Sequence, residues 1–402
     1  MKFLILKSNC AIVVGNNGSF IYDIANKDYY SLDVHHTEIL NKVKKGMCIE
    51  EIKNEFDVNV VNDFFNKLIE SNLAELADYY YVEEVTRIGH ARPVSNMQLN
   101  TCYIELPSSC EVNCKSCRSL KLFSCLTCSC PTVTSPELDM EFYRSLLSDV
   151  LKMSVQTLIF HGGDPLTFGD SILELLQYTR ENAHENVRII LKTNGRLLDT
   201  KMIHHFIKFK INPLFVLRCT NENNHQISML ETSPETFQVF FENKLEYFCN
   251  VVMDSPTQLE SVIQKLKNYN FSNISTSLLI DEKSNLQTYA RVQFSDKLSY
   301  NFMLNKNLHP CLMGVIAITA DRKVIPCPSM IKHPLLDLGK SHILDLFQYP
   351  EILNEFWRFS LEKIERCKAC KIRFSCVDCR AVEELLSNDL YKKEICYLGH
   401  SN

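Results

Sequence analysis

Apolar positions fall in short runs near the N-terminus, then at helical spacing, and then in a long alternation of the two. FLIL, CAIVV and SFIYDI are strand-like runs separated by KSN and GNNG, whose Asn and Gly suit hairpin turns. They predict a β-meander with SFIYDI at its exposed edge. After YYSLD come three helical patterns, TEILNKVKKG, IEEIKNEF and VNDFFNKLIESNLAEL, with Asp57 or Asn62 as candidate cap of the last. The polar, irregular run DYYYVEEVTRIGHARPVSNMQ reads as a linker.

From NTCYIEL onward strands and helices alternate. TCYIEL, TLIFHG, RIILKTNG, NPLFVLRC, YFCNVVMD and ISTSLLI read as strands, with amphipathic helices between them, from DMEFYRSLLSDVLKM to TQLESVIQKLKNY. Such alternation implies right-handed crossovers and a parallel sheet, here of an extent that suits a partial α/β barrel with its site at the carboxyl ends of the strands. Three domains are expected, over residues 1–88, 98–290 and 300–402.

At 402 residues, with 46% apolar and 23% charged residues, the chain can bury a large core. A net charge of -5 gives no field to attract nucleic acid, and the group Lys42, Lys44 and Lys45 reads as a solvated helix face. Cysteine is the outlier, with 18 copies. The start MKFLILKSNC breaks its apolar run at Lys7 and shows no signal-peptide cleavage pattern, so a reducing, cytoplasmic setting is expected. In that setting clustered cysteines bind metal more often than they cross-link. No segment has the unbroken apolar length needed to cross a bilayer.

PSSCEVNCKSC places Cys110, Cys114 and Cys117 as Cys-x-x-x-Cys-x-x-Cys. Three thiolates from one short loop can hold three irons of a cubane cluster and leave the fourth open, whereas zinc favours four ligands and a closed tetrahedron. With TLIFHGGDPL and ILKTNG, this array resembles the radical S-adenosylmethionine (SAM) enzymes. The resemblance implies a 4Fe-4S cluster on Cys110, Cys114 and Cys117 whose open iron chelates the cofactor's methionine. Gly162 and Gly163 would admit the methionine amine to the backbone, with Asp164 beside it where these families usually have Glu. Thr193 and Asn194 would hydrogen-bond ribose or carboxylate oxygens. Arg218 would meet the cofactor carboxylate or form a strand-end ion pair. Ser116 stands where an aromatic is usual, with Phe123 as a substitute.

The C-terminal third changes character. Cys311 and Cys327 flank a hairpin, and ERCKACKIRFSCVDCRA brings Cys367, Cys370, Cys376 and Cys379, with Cys396 beyond. This resembles the SPASM extension, which implies two auxiliary 4Fe-4S clusters: one on Cys367, Cys370, Cys376 and Cys396, the other on Cys311, Cys327 and Cys379. A pair of zinc knuckles is the alternative. The Cys376–Cys379 gap is short for that family, and Arg322 takes the place of a usual hairpin glycine. Cys125, Cys128 and Cys130 in FSCLTCSC suit a zinc site, with Cys102 or another thiolate, or the missing ligand of the second auxiliary cluster.

CKACKIRFSCVDCRA is similar to the SPASM maturases of grasp-with-spasm peptide systems, and the N-terminal pattern resembles the RiPP recognition element, a winged-helix-like module that binds leader peptides. Its plainer reading is an oligomerisation or DNA-binding winged helix. Together these resemblances imply an oxidoreductase-like peptide maturase. A 5'-deoxyadenosyl radical would abstract hydrogen from a ribosomally made precursor peptide, toward a thioether crosslink or a related modification. The leader would bind the N-terminal domain, and a flavodoxin or ferredoxin would donate the electron. The alternatives are modification of the sulfatase-maturation type, opposed by Pro328 where those enzymes place a catalytic Asp, and a non-catalytic iron-sulfur electron-transfer protein. A tRNA-modifying enzyme is disfavoured by the net acidity.

Overall fold

The computed structural model describes residues 1–26, 28–83, 99–110, 112, 129–219, 234–253, 255, 257, 259–278, 302–376 and 378–396. The chain divides into two compact units, one of residues 1–95, 287–310 and 358–402, the other of residues 96–286 and 311–357. The C-terminal third is thus shared between them.

In the first unit β1 (Phe3–Leu6) pairs antiparallel with β5 (Ala74–Ala77), while β2 (Cys10–Gly15), β3 (Gly18–Asp23) and β4 (Asp28–Leu32) form a separate antiparallel sheet. Both facts correct the sequence expectation. FLIL leaves the meander for a partner that local spacing assigns to the end of the third helix. That helix, α3 (Val58–Glu70), stops before it: Leu73 N–H returns to Leu68 O at 2.9 Å and Asn72 takes φ +57°. SFIYDI supplies the central strand, buried from Gly18 to Asp23, because DYYSL pairs with its free edge as β4, with Phe20 and Tyr29 stacked across the pair at 5.5 Å.

α1 (Val34–Lys44), α2 (Ile49–Glu55) and α3 lie where the periodicity places them. Asp57 is the cap, accepting from Asn59 N at 2.9 Å and Val60 N at 3.1 Å, which satisfies two of the first-turn amides that have no partner within the helix. Ile39, Leu40, Ile52, Val61, Phe64 and Leu68 close a core around Leu4. C-terminal residues of the same unit cover the other face of β2 and β3: Tyr22 meets Phe302 at 4.6 Å, and its hydroxyl accepts from Ser375 Oγ at 3.0 Å.

The second unit is built on one sheet of nine strands among the described residues. β6 (Thr101–Glu105), β7 (Thr157–His161), β8 (Arg188–Thr193), β9 (Ile211–Cys219), β10 (Phe248–Met253) and β11 (Asn273–Leu278) run parallel and neighbour one another in chain order. α4 (Met140–Lys152), α5 (Asp170–Asn182), α6 (Thr200–Phe209), α7 (Pro234–Glu242) and α8 (Leu259–Leu266) are the crossovers. This is the parallel α/β architecture that the alternation predicts. β12 (Val315–Ile318) adds in parallel beside β6, and β13 (Lys323–Ile325) and β14 (Leu336–Asp337) complete the edge antiparallel. Tyr103, Ile159, Ile190, Leu214 and Ala317 pack on one face of the sheet. By the period-two rule Glu105, His161 and Lys192 share that face toward the strand ends. No described helix is long and apolar enough to cross a membrane.

Candidate active site at the strand ends

Cys110 follows β6 by five residues, half-buried, where the chain leaves the sheet. Cys114, Cys117, Ser116, Phe123, Cys125 and Cys128 lie outside the described residues. What fixes Cys110 is therefore read from its surroundings. Asp164 N–H donates to Ser109 O at 2.8 Å, the Ser108 hydroxyl donates to Gly162 O, and Leu106 N–H donates to His161 O at 2.7 Å. The segment leading to Cys110 is laced to the end of β7. Gly162 (φ +101°) and Gly163 (φ +57°) make this possible: a Cβ on Gly163 would stand 2.2 Å from Ser108 O, and one on Gly162 2.4 Å from Leu106 O.

Asp164 is buried, and its carboxylate is committed to the fold. Oδ1 accepts from Leu166 N at 3.1 Å and from the Thr193 hydroxyl at 2.9 Å, while Oδ2 accepts from Asn194 N at 3.1 Å. Thr193 Oγ1 in turn accepts from Gly195 N at 3.0 Å. The carboxylate thus brackets the ends of β7 and β8. Asn194 is left with its side chain aimed at the cysteine loop, Nδ2 donating to Cys110 Sγ at 3.7 Å. The structure brings together Cys110, Gly162, Gly163, Asp164, Thr193 and Asn194. Arg218 is buried near the end of β9.

His161, beside the glycine pair, reads from the sequence as a hydrogen-bonder and not a base, while Lys192 and Glu105 carry no motif. His161 is buried, its Nδ1 3.2 Å from Ser129 Oγ, and burial together with the nearby Lys192 holds its pKa well below the usual value, so the ring is neutral. The Lys192 ammonium lies 5.3 Å from the Tyr103 ring centroid. Glu105 accepts from Thr132 N at 3.0 Å, Thr132 Oγ1 at 2.8 Å and Ala320 N at 2.8 Å, tying the chain after the cysteine loop and the β12–β13 turn to β6. The strand periodicity that puts these residues on one face was the signal available. Arg322, in that turn, does take the backbone of the missing glycine, with φ +64°, and is anchored by Asp139 at 2.8 Å and by the Phe142 ring at 4.4 Å.

Of the remaining thiols, Cys102 is fully buried in β6 and Cys130 is exposed. Cys311 is exposed and Cys327 buried, both in the second unit, and Cys379 belongs to the first. Cys367, Cys370, Cys376 and Cys396 all lie in the first unit and act on one another electrostatically: Cys370 on Cys367 and Cys376, and Cys396 on Cys370 and Cys376. Burial pushes Cys367 and Cys376 up to about 12, with Lys393 pulling the other way. Among the described residues no three His, Cys, Asp or Glu side chains converge at single-ion distances. The grouped soft donors fit an iron-sulfur cluster, whose irons occupy separate corners. At the strand ends the fit rests on the glycine cradle and the amide aimed at Cys110.

Residues 102–225, the stretch carrying these strand ends, match a family described as a 4Fe-4S single cluster domain. These likenesses support a radical SAM-type enzyme. The chain is 22% identical over 264 residues to the radical SAM cyclopropyl synthase TigE of Paramaledivibacter caminithermalis, across 60% of this chain and 56% of that one. It is 29% identical over 99 residues to the AdoMet-dependent heme synthase of Methanosarcina barkeri, across 25% of each. The chain therefore spans about half the length of the first curated relative and a quarter of the second. Among solved structures, anSMEcpe with bound AdoMet superposes with a TM-score of 0.53 at 18% identity, over 74% of this chain and 93% of that one. Native anSMEcpe with bound AdoMet and the Kp18Cys peptide gives 0.51 at 18% identity over 74% and 94%. The family match and the likeness to radical SAM proteins accord with the resemblance drawn from the sequence motifs, and the solved structures share the fold.

Proposed function

We propose that the protein is a radical SAM peptide maturase that acts on a ribosomally made precursor peptide. The observation that carries this reading is the junction at Cys110, where a backbone cradle without Cβ atoms and the Asn194 amide meet the first cysteine of the triplet. A 4Fe-4S cluster on Cys110, Cys114 and Cys117, with SAM bound, supplies a 5'-deoxyadenosyl radical able to abstract hydrogen from carbon.

The chain's own residues bind and orient. Gly162 and Gly163 let the Ser108–Ser109 backbone close on the end of β7, and Asn194 offers amide hydrogens next to the cysteine loop. Asp164 and Thr193 hold both elements at a fixed spacing, as positioning residues. Arg218 would receive a carboxylate at the end of β9. The buried, largely apolar inner face keeps water from the strand ends.

A peptide substrate accords with the anSMEcpe structure that holds one. The leader is assigned to the first unit, where a cavity of about 390 Å³ is lined by Leu4, Leu6, Ile12, Val43 and Tyr80 with Lys7 and Lys44 beside them. The cysteines of the C-terminal third would carry the two auxiliary clusters, and a flavodoxin or ferredoxin in the cytoplasm would supply the electron.

The test is 5'-deoxyadenosine formation by anaerobically reconstituted protein with SAM and dithionite, compared with Cys110→Ala/Cys114→Ala/Cys117→Ala. Product from the wild type alone is the expected result. Iron-loaded wild type that neither binds SAM nor forms product would overturn the enzyme reading in favour of electron transfer.

A further inference from the structure

Behind the Cys367, Cys370, Cys376 and Cys396 group lies a set of buried charges that neither the cluster reading nor the peptide reading uses. Asp378, between Cys376 and Cys379, receives the Arg380 guanidinium through Nε and, at 2.5 Å, through Nη2. It also receives the Lys393 ammonium at 2.9 Å and meets His309 Nε2 at 3.2 Å. Lys393 reaches Glu383 Oε1 at 2.6 Å as well, and Glu383 Oε2 accepts from Glu394 N at 2.6 Å and Ile395 N at 3.1 Å. All five side chains are buried.

The backbone amides held by Glu383 are those that lead into Cys396. Arg380 also donates to Leu390 O at 2.8 Å and Lys392 O at 2.9 Å, so the arm that carries Cys396 is fastened at three carbonyl or carboxylate acceptors. Arg380 spends its donors on Asp378 and on carbonyls. Lys393 bridges two carboxylates, one of them on Asp378 two residues after Cys376, and itself lies three residues before Cys396. Buried charges around cluster sulfurs set a reduction potential more strongly than solvated ones, because little water screens them.

We propose that Lys393 is a positioning residue of the Cys367, Cys370, Cys376 and Cys396 site, a buried cation that raises the reduction potential of the iron-sulfur cluster bound there. The proposal rests on the reading that these four thiols hold such a cluster. Four thiolates with Asp378 and Glu383 beside them concentrate negative charge, and an added electron is stabilised by the fixed ammonium.

The cluster is followed by EPR on a Cys110→Ala/Cys114→Ala/Cys117→Ala background, and the signal lost on Cys370→Ala is assigned to this site. Absence of any such signal from protein with intact thiols would refute the cluster reading itself. Where the signal is present, Lys393→Met should lower the midpoint in a mediated dithionite titration, and Lys393→Arg should keep it close to that of the unchanged site. Because Lys393→Met leaves Asp378 and Glu383 short of a cation, Lys393→Met/Glu383→Gln removes the pair as a neutral unit, and its midpoint should lie above that of Lys393→Met. An unchanged midpoint in loaded Lys393→Met, or a double variant no higher than Lys393→Met, overturns the proposal. Loss of the signal in both Met variants would make Lys393 a structural support of the site and not a tuner of its potential, and it overturns the proposal, as does loss in Lys393→Arg.

Discussion

Gly163→Ala tests the idea that the end of β7 holds the cysteine loop in place. The added Cβ would stand 2.2 Å from Ser108 O and 2.6 Å from Ser109 O, both rigid backbone atoms. At φ +57° the alanine also carries conformational strain of roughly 1–3 kcal/mol. Relief of the clash requires Ser108 and Ser109 to move away from β7, at about 1–3 kcal/mol for an overpacked site, and that motion carries Cys110 with it. The Asp164 N–H to Ser109 O bond and the Gly163 N–H to Ser129 O bond, each 2.8 Å, are strained by the same shift. Gly169→Ala is a control for strain without a clash. At φ +55° and ψ -122° an alanine is strained there too, but nothing lies within 4 Å of the added Cβ, so any loss comes from the backbone alone. Both variants should unfold at lower urea, Gly163→Ala the lower. The separating measurements are iron content, the SAM-induced change in the EPR signal, and 5'-deoxyadenosine yield. Gly169→Ala should keep all three, and Gly163→Ala should lose most of each. A Gly163→Ala protein with full iron loading and unchanged SAM response would show that the Ser108–Ser109 segment is free to move without the cysteines, and the bracing argument would be wrong.

Asp164→Asn places an NH2 where the carboxylate now accepts from Asn194 N and Thr193 Oγ1, and one buried donor then lacks an acceptor; the loss should be about 1–3 kcal/mol in urea unfolding, with weaker SAM binding by equilibrium dialysis. Arg322→Ala keeps the positive-φ strain while losing the Asp139 pair and the Phe142 contact, for roughly 1 kcal/mol, whereas Arg322→Gly offsets that loss by relieving the strain and should unfold nearer to wild type. His161 is neutral when folded, its pKa lowered by burial and Lys192, so the unfolded chain binds its proton first. Stability from this residue is full above about pH 6.5 and falls as pH drops below it, by up to about 1.4 kcal/mol per pH unit, and His161→Gln should flatten that part of the urea-midpoint profile.

The alternation of strand and helix was legible because both periods are local: runs such as TLIFHG and DSILELLQYTREN each declare their element within a dozen residues. The N-terminal sheet was not, because pairing is a long-range choice. AELA continues the apolar spacing of α3, and nothing in its own residues says that Phe3–Leu6, some seventy positions earlier, will take it as a strand. DYYSL fails for the opposite reason. Two adjacent tyrosines fit a loop as well as a strand until β3 offers a ring to stack on.

The same distinction governs the site. A triplet of cysteines is a local motif, whereas the meaning of Asp164 depends on Thr193 and Asn194, which are remote in sequence and adjacent only because β7 and β8 pair. Read alone, HGGDP and KTNG are two separate sets of cofactor contacts. Joined by one carboxylate they become a single brace, in which the glycines let the cysteine loop approach β7 and the carboxylate fixes how far Asn194 stands from Cys110. On this view the carboxylate of Asp164 acts through geometry, by fixing the two strand ends against each other. Its carboxylate reaches the Asn194 amide at 3.1 Å and the Thr193 hydroxyl at 2.9 Å, so the length of this one side chain sets the spacing of the two strand ends.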